Sequence, residues 1–306
     1  MDKITEEPFV SVVIVNYNAK KYLEDCIYSI LNSDYQNIEI IAVDNGSDDG
    51  SLDFLQEILK SKSNVDYIRN EENIGPAAAR NQGIRKVNGE YVAFLDNGTT
   101  VHPLWLKKSI KFFEDNPRVG ACHCKLILSD TDNILDCVGE YLGQYGFLVN
   151  VVTSGEEKDV GQYNKILKIF TAKSAGMIVR MDALKKIEGF DDDYFIYFEE
   201  SDLSWRIWLQ GSEIVFIPDS IVYHKFGTSS IVLPERINYL VKFHGTKNYI
   251  STLIKNLGTK NLFKIIPILI AMWLGKSSIF LLKGQFKSTK WILQEVLWNF
   301  LTIKIL

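Results

Sequence analysis

The sequence predicts an α/β protein: a mostly parallel sheet flanked by helices, with a helical region appended at its C-terminal end. Three observations predict it. Short apolar runs rich in Val and Ile alternate with stretches of helical spacing from Phe9 to Leu95. Those runs are apolar on both faces, the pattern of strands covered from both sides. Beyond Leu233 the alternation stops, and helical, apolar, lysine-rich sequence takes over.

Phe9 to Val15 (FVSVVIV) reads as the first strand, closed by the turn residues Asn16-Tyr17-Asn18. Lys21 to Leu31 places Tyr22, Leu23, Cys26, Ile27, Ile30 and Leu31 at helical spacing. Ile38 to Val43 is the second strand, closed by DNGSDDGS, and Leu52 to Leu59 the second helix. Val65 to Ile68 is a third strand, Ala77 to Val87 a helix, and Tyr91 to Leu95 a fourth strand that stops at Asp96-Asn97-Gly98. Each polar cluster lies at the carboxyl end of a strand, where open parallel sheets bind ligands. The second half is less regular. Strands are expected at 119–127, 175–179 and 214–217, helices at 182–187 and 202–210, a loop or hairpin at 130–136, and a polar, mobile stretch at 154–162. No internal repeat is visible.

The composition is that of a folded chain: 306 residues, 46% apolar and 24% charged. One large domain, or one domain with an appendage, fits this length. The net charge of −4 hides an asymmetry. From Lys242 onward there are ten Lys and one acid, Glu295, for +9, against −13 for the rest. A basic, apolar tail on an acidic body points to an anionic surface, membrane lipid or nucleic acid. Leu262 to Leu282 approaches membrane-spanning length, interrupted by Lys264, Pro267, Gly275 and Lys276. With Trp273, Trp291 and Trp298 beside the lysines, helices lying in the membrane interface are favoured over nucleic-acid binding. A single span, a buried helical hairpin or a homodimer contact are the other readings of this segment. Four cysteines (Cys26, Cys122, Cys124, Cys137) and the acidic start MDKITEEPFV, with no secretory signal, favour a reduced, cytoplasmic setting. Cys122-His123-Cys124 lacks a second Cys/His pair at zinc spacing, so buried strand is preferred there.

Four constellations could carry chemistry. Asp44 opens DNGSDDGS, where Gly46 and Gly50 permit tight turns. Its carboxylate fits either a base imide or ribose hydroxyl, or a turn and cap role that Asp48 and Asp49 fill better. In NEENIGPAAARNQGI, Gly75-Pro76 opens a helix whose N-terminus favours an anion such as a diphosphate, with Arg80 one turn in. Arg80 alone reads equally as a paired or solvated side chain. In GFDDDYFIYFEESDLSWRIW, Asp191, Asp192, Asp193, Glu199, Glu200 and Asp202 crowd among aromatics, where desolvation raises a carboxylate toward general-base values. There Asp202 and Arg206 have i,i+4 spacing and Glu199 suits a helix N-terminus, while Glu200 has no such structural task. His224 ends a strand before a Gly/Ser/Thr turn, as a structural residue or as a metal or phosphate contact.

Taken in order, VSVVIVNYN, EIIAVDNGSDDGS, NEENIGPAAARNQGI, GEYVAFLDNGT, SAGMIVRMDALKKIEGFDDDYFIYFEESDLSWR and VYHKFGTSS resemble a family-2 glycosyltransferase with the GT-A fold. The resemblance runs from Phe9 to about Ser230. The last two segments resemble the rhamnosyltransferase-like branch of cell-surface polysaccharide assembly. It implies a Rossmann-like nucleotide-diphospho-sugar transferase domain over 1–232, nucleotide-binding to about 118 and acceptor-binding from 119. Residues 233–306 are then a helical, membrane-associating region at the cytoplasmic face, peripheral or monotopic. The resemblance implies that Tyr17, Asn18 and Asp44 hold the base and ribose of a UDP- or dTDP-sugar donor, with Arg80 near the diphosphate. Asp96 is then the first acid of the Asp-x-Asp motif, touching ribose and Mg²⁺ or Mn²⁺, and His224 a metal or diphosphate ligand. Glu200 falls at the catalytic base of an inverting transfer to a glycan or lipid-linked saccharide, and Asp202 is the alternative base. The chain departs from the motif at Gly98, where the family carries a second acid. That departure puts metal binding in doubt, and keeps open a non-catalytic sugar-nucleotide-binding subunit as the rival. A nucleotidyltransferase would want a basic, Gly-rich loop after the first strand, which VNYNAKKY does not supply.

Overall fold

The computed structural model of the chain describes residues 7–144, 146–225 and 234–302. The turn that follows Lys225 and the expected boundary at 232/233 lie outside them. The elements run β1 (Val10–Asn16), α1 (Lys20–Leu31), β2 (Ile38–Asp44), α2 (Ser51–Ser61), β3 (Val65–Arg69), α3 (Pro76–Lys86) and β4 (Tyr91–Asp96). There follow β5 (Thr99–Val101), α4 (Trp105–Asp115), β6 (Val119–Leu128), β7 (Leu135–Cys137), β8 (Glu140–Leu142), β9 (Leu148–Asn150), β10 (Leu167–Lys168), β11 (Met177–Arg180) and α5 (Met181–Lys186). The chain continues through α6 (Glu199–Leu209), β12 (Glu213–His224), α7 (Pro234–Asn256), α8 (Thr259–Leu282) and α9 (Phe286–Thr302).

The main sheet has the order β10-β12-β6-β11-β4-β1-β2-β3. Strands β3, β2, β1 and β4 are parallel, as the strand–helix alternation requires. The sheet is mixed further along: β11 runs antiparallel between β4 and β6, and β12 returns parallel to β6. Alternation along β1 feeds two cores. Val10, Val12 and Ile14 meet Leu23, Ile27 and Ile30 on one face, while Val13 joins Val92, Phe94 and Met177 on the other. Gly83 lets α3 lie flat on that second face, because a Cβ there would stand 2.5 Å from Val13 Cγ1.

Three parts differ from the sequence expectation. Helix α4 fills a stretch for which no element was predicted; it starts without a capping side chain, yet buries Trp105, Leu106, Ile110 and Phe113. Strand β12 is much longer than 214–217, because a register shift between Ile217 and Ile221 absorbs Pro218 and pairing resumes to His224. The stretch expected to be mobile at 154–162 is tied down: Ser154 donates to Asp136, and Asp159 pairs with buried Lys125 at 2.7 Å.

The C-terminal region also divides. Helix α7 buries Tyr249, Ile250 and Leu253 against Trp205, and Phe147 stacks on Tyr249. Helix α8 is long and apolar enough to cross a membrane by length and composition, with a mean hydropathy of 2.0 and 11% of its most apolar window buried. Phe263 and Leu282 are 78% and 87% exposed, and Phe286 of α9 is 68% exposed.

Candidate active site

The ends of β1, β2 and β4 lie side by side, Asn16 opposite Asp44 and Val15 opposite Asp96. Their polar side chains interlock. Asn16 Nδ2 donates to Asp44 Oδ1 at 3.0 Å and to Ser47 Oγ at 3.2 Å, and its own Oδ1 accepts from Asn97 Nδ2 at 3.0 Å. The Ser47 amide donates to Asp44 Oδ2 at 3.2 Å, so buried Asp44 organises the turn from the floor of this end. Asp49 takes the capping role, accepting from the Ser51 amide and hydroxyl and from the Lys20 amide. Those bonds outweigh its partial desolvation and hold its carboxyl below the usual range. Asn18 sits in the left-handed region at φ 48° and accepts from the Asp48 amide, with half-buried Tyr17 before it. Asn16 and Asn97 are the functional candidates that sequence reasoning read only as turn residues. Their signal was present: an amide both donates and accepts, which suits a position between parallel strand ends.

Arg80 joins this end to the acidic loop. It is 4% exposed, donating from Nη2 to Asp96 Oδ1 at 3.1 Å and from Nη1 to Glu199 Oε1 at 3.0 Å, over the ring of Phe190. Desolvation opposes its charge, but Asp96, Glu199 and Glu200 outweigh it and raise the guanidinium. Arg80 therefore acts as a buried bracket. Burial, then the neighbouring Glu200, push the Glu199 carboxyl up to about 8 against the pull of Arg80. Helix α3 holds the loop a second time, since Asn81 accepts from the Phe190 amide and donates to Phe190 O and Asp192. At the start of α3 the Phe195 carbonyl comes so close that a Cβ on Gly75 would be 2.5 Å from it.

Glu200 is half-buried and, among the described residues, makes no side-chain hydrogen bond or ion pair. Lys173 stands in its field and bonds buried Glu140 at 2.8 Å. Burial works against the Lys173 ammonium, but Glu140 and Glu200 outweigh it and raise its pKa. Asp202, the alternative base in the sequence reading, occupies a different environment. It is fully buried, Oδ2 accepting from Arg206 at 2.8 Å and Oδ1 meeting Asn256 at 2.8 Å and Lys255 at 3.0 Å. Its carboxylate is engaged inside the protein, because α7 packs where sequence spacing showed only the Arg206 partner.

His224, the last residue of β12, lies opposite Thr99 of β5, and the Lys225 amide donates to Gly98 O at 2.8 Å. This pairing brings His224 to the Asp96-Asn97-Gly98 turn. Its Nδ1 bonds Asp136 Oδ2 at 2.8 Å, and Ser154 donates to Asp136 Oδ1 at 2.7 Å. Burial opposes the imidazolium, while the Asp136 bond and the charges of Asp96 and Asp136 outweigh it and raise the His224 pKa. A divalent ion fits this corner only in part. Asp96 and His224 are the two candidate donors there, and no group of three or more His, Cys, Asp or Glu that could hold an ion occurs among the described residues. The remaining ligands would have to come from phosphate oxygens, as Mg²⁺ commonly arranges. The Cys122-His123-Cys124 stretch is buried, and desolvation raises both thiols and lowers His123 to about 3.

Two family models match the chain: glycosyl transferase family 2 over residues 11–133, and glycosyl transferase family group 2 over residues 91–236. The glycosyltransferase AglE of Haloferax volcanii is 33% identical over 221 residues, covering 71% of this chain and 67% of AglE. An uncharacterized glycosyltransferase of Haemophilus influenzae is 39% identical over 109 residues; that match takes in 36% of this chain and spans 44% of the relative's length. Among solved structures, the mannosyltransferase PcManGT of Pyrobaculum calidifontis, in complex with GDP-Man and Mn²⁺, superposes with a TM-score of 0.59. It is 15% identical and covers 97% of this chain and 88% of its own, a likeness of fold, the GT-A fold.

Proposed function

The chain belongs to glycosyl transferase family 2, and on that premise we propose that it is an inverting glycosyltransferase. It moves a sugar from a nucleotide-diphosphate-sugar, UDP- or dTDP-linked, to a glycan or lipid-linked saccharide at a membrane surface. The observation that carries this reading is the bracket of Arg80 between Asp96, at a strand end, and Glu199, beside the unengaged Glu200. A donor bound across the strand ends thereby has its sugar next to a carboxylate with no side-chain partner among the described residues.

In this reading Asp44, Tyr17 and Asn18 receive the base and ribose, and Asp96 faces ribose and diphosphate. The Glu200 carboxylate takes the proton of an acceptor hydroxyl while that oxygen attacks the anomeric carbon, and the bond to the diphosphate breaks with inversion. Arg80 fixes the positions of Asp96 and Glu199, Asp202 fixes α7, and Lys173 lies beside Glu200. A divalent ion, held by Asp96 and His224, would neutralise charge on the departing diphosphate. The exposed apolar side chains of α8 and α9, among the tail's lysines, rest in this reading on the cytoplasmic leaflet, where a lipid-linked acceptor is presented.

The test is a panel of UDP-, dTDP- and GDP-sugars, scored by thermal shift with Mn²⁺ and with chelator, then by nucleoside diphosphate release with acceptor. Glu200→Gln should keep the donor-induced shift and lose transfer by a factor of ~10² or more. Near-normal turnover in Glu200→Gln overturns the base assignment. Donor binding without turnover of any donor favours instead a sugar-nucleotide-binding subunit, a reading that Gly98 keeps open.

A further inference from the structure

The two residues that deliver Glu199 and Glu200 are strained. Tyr197 and Phe198 stand consecutively in the left-handed region, at φ 70° and 67°, where side chains are disfavoured. Such a pair persists only where its surroundings hold it. Helix α7, some fifty residues further along the chain, supplies the hold. Asn248, fully buried, donates from Nδ2 to both Ile196 O at 2.9 Å and Tyr197 O at 2.8 Å. Along the same helix, Lys247 donates to Asp193 O at 2.7 Å, Thr252 bonds the Tyr194 hydroxyl at 2.9 Å, and Lys255 pairs with Asp191. The spacing of 247, 248, 252 and 255 places these groups on one helical face, aimed at one loop. Helix α3 holds the two ends of that loop, through Asn81 at Phe190 and Asp192 and through Arg80 at Glu199, while the left-handed pair between them is bonded from α7. The hold also reaches the tail, because the Lys247 ammonium lies 4.4 Å from the ring centre of Trp298 on α9.

We propose that α7 is a clamp that sets the conformation of the base-bearing loop, with Asn248 as its positioning residue, so that seating of the C-terminal helices is required for sugar transfer itself. The proposal rests on the glycosyltransferase reading for the meaning of Glu200, but the clamp has a readout that needs no activity. The C-terminal region then serves chemistry as well as location, and a chain cut before α7 loses transfer even when acceptor is supplied in detergent.

Two measurements on the full chain test it. Native-state hydrogen exchange in sub-denaturing urea should show amides 193–199 opening together with 247–256; loop amides that open while α7 stays protected overturn the clamp. Asn248→Ala should lower kcat at least tenfold with the donor Kd within a factor of two, and Tyr197→Gly in that background should recover most of the loss, since glycine adopts the left-handed region freely. An unchanged kcat, a donor Kd that worsens in step with kcat, or no recovery by Tyr197→Gly each overturns Asn248 as positioning residue. Should Asn248→Ala not fold, the exchange of the unmodified chain still decides. A chain that transfers no sugar from any donor, yet shows joint opening, refutes the activity and keeps the clamp.

Discussion

On the strand-end side, proposed here to take the donor, Asn16, Asp44 and Asp96 come together because three neighbouring strands end in register, and their backbones are fixed by the ladder before any side chain acts. On the loop side, proposed here to face the acceptor, Glu199 and Glu200 stand at the end of a loop with two left-handed residues, held by Asn81 from α3 and by a row of polar groups from α7. The first arrangement distributes its stability over a buried sheet. The second concentrates it in a few buried polar contacts, each expensive to leave half-made. Substitutions should therefore be tolerated unequally across a site whose two sides touch through Arg80.

The sharpest break in that symmetry is Asp202. Its carboxylate is fully buried and shared among Arg206, Lys255 and Asn256. Removing one partner of a buried ionic group strands the others, at a cost of about 3 kcal/mol, since Arg206 and Lys255 keep some solvent contact. Asp202→Ala should lose that much in urea unfolding. Asp44→Ala, which breaks two neutral-donor bonds on the ladder side, should lose about 1–2 kcal/mol. Equal losses would erase the contrast between the two sides.

The same contrast explains what the sequence could reveal. Strand ends are local: apolar runs closed by NYN, DNG and DNG announce both the strand and the polar group that caps it. Asp44 and Asp96 are therefore legible without a structure. The loop is legible as a cluster of acids, but its internal roles are not. For Asp202 the sequence shows one partner, Arg206 a turn away, whereas Lys255 and Asn256 lie more than fifty residues away and announce nothing at short range. Helix α4 escaped for a different reason: it has the apolar spacing and buries Trp105, yet no capping side chain marks where it starts. Asn248 could not be found by any local pattern, because an Asn within a helix is ordinarily a weak helix former and no more.

Gly98 tests the donor side by adding to it. The turn offers a cation one carboxylate, with His224 placed beside it by the β5–β12 pairing. Gly98→Asp should strengthen Mn²⁺ binding in the presence of UDP roughly tenfold by calorimetry, because affinity at oxygen sites rises with the number of charged ligands. An unchanged affinity places the cation elsewhere and leaves Asp96 to the ribose.

The last test lies where the two sides meet, and it is read as a slope. Burial and Glu200 raise the Glu199 carboxyl from an ordinary 4.5 to about 8, while Arg80 pulls the other way. A carboxyl raised on folding binds more protons in the folded than in the unfolded chain, so its contribution to stability falls as pH rises between those two values. Glu199→Gln keeps an oxygen to accept from Arg80 Nη1 and adds an amide donor where Oε2 is buried without a partner. The variant removes this titration. Relative to Glu199→Gln, the unmodified chain should therefore lose stability from pH 5 to pH 8, by at most ~1.4 kcal/mol per pH unit. Urea midpoints for both chains at pH 5.5 and pH 8 measure the difference. Parallel pH curves would mean that Arg80 keeps Glu199 ionised throughout, and that the bracket between the two sides is an ordinary salt bridge.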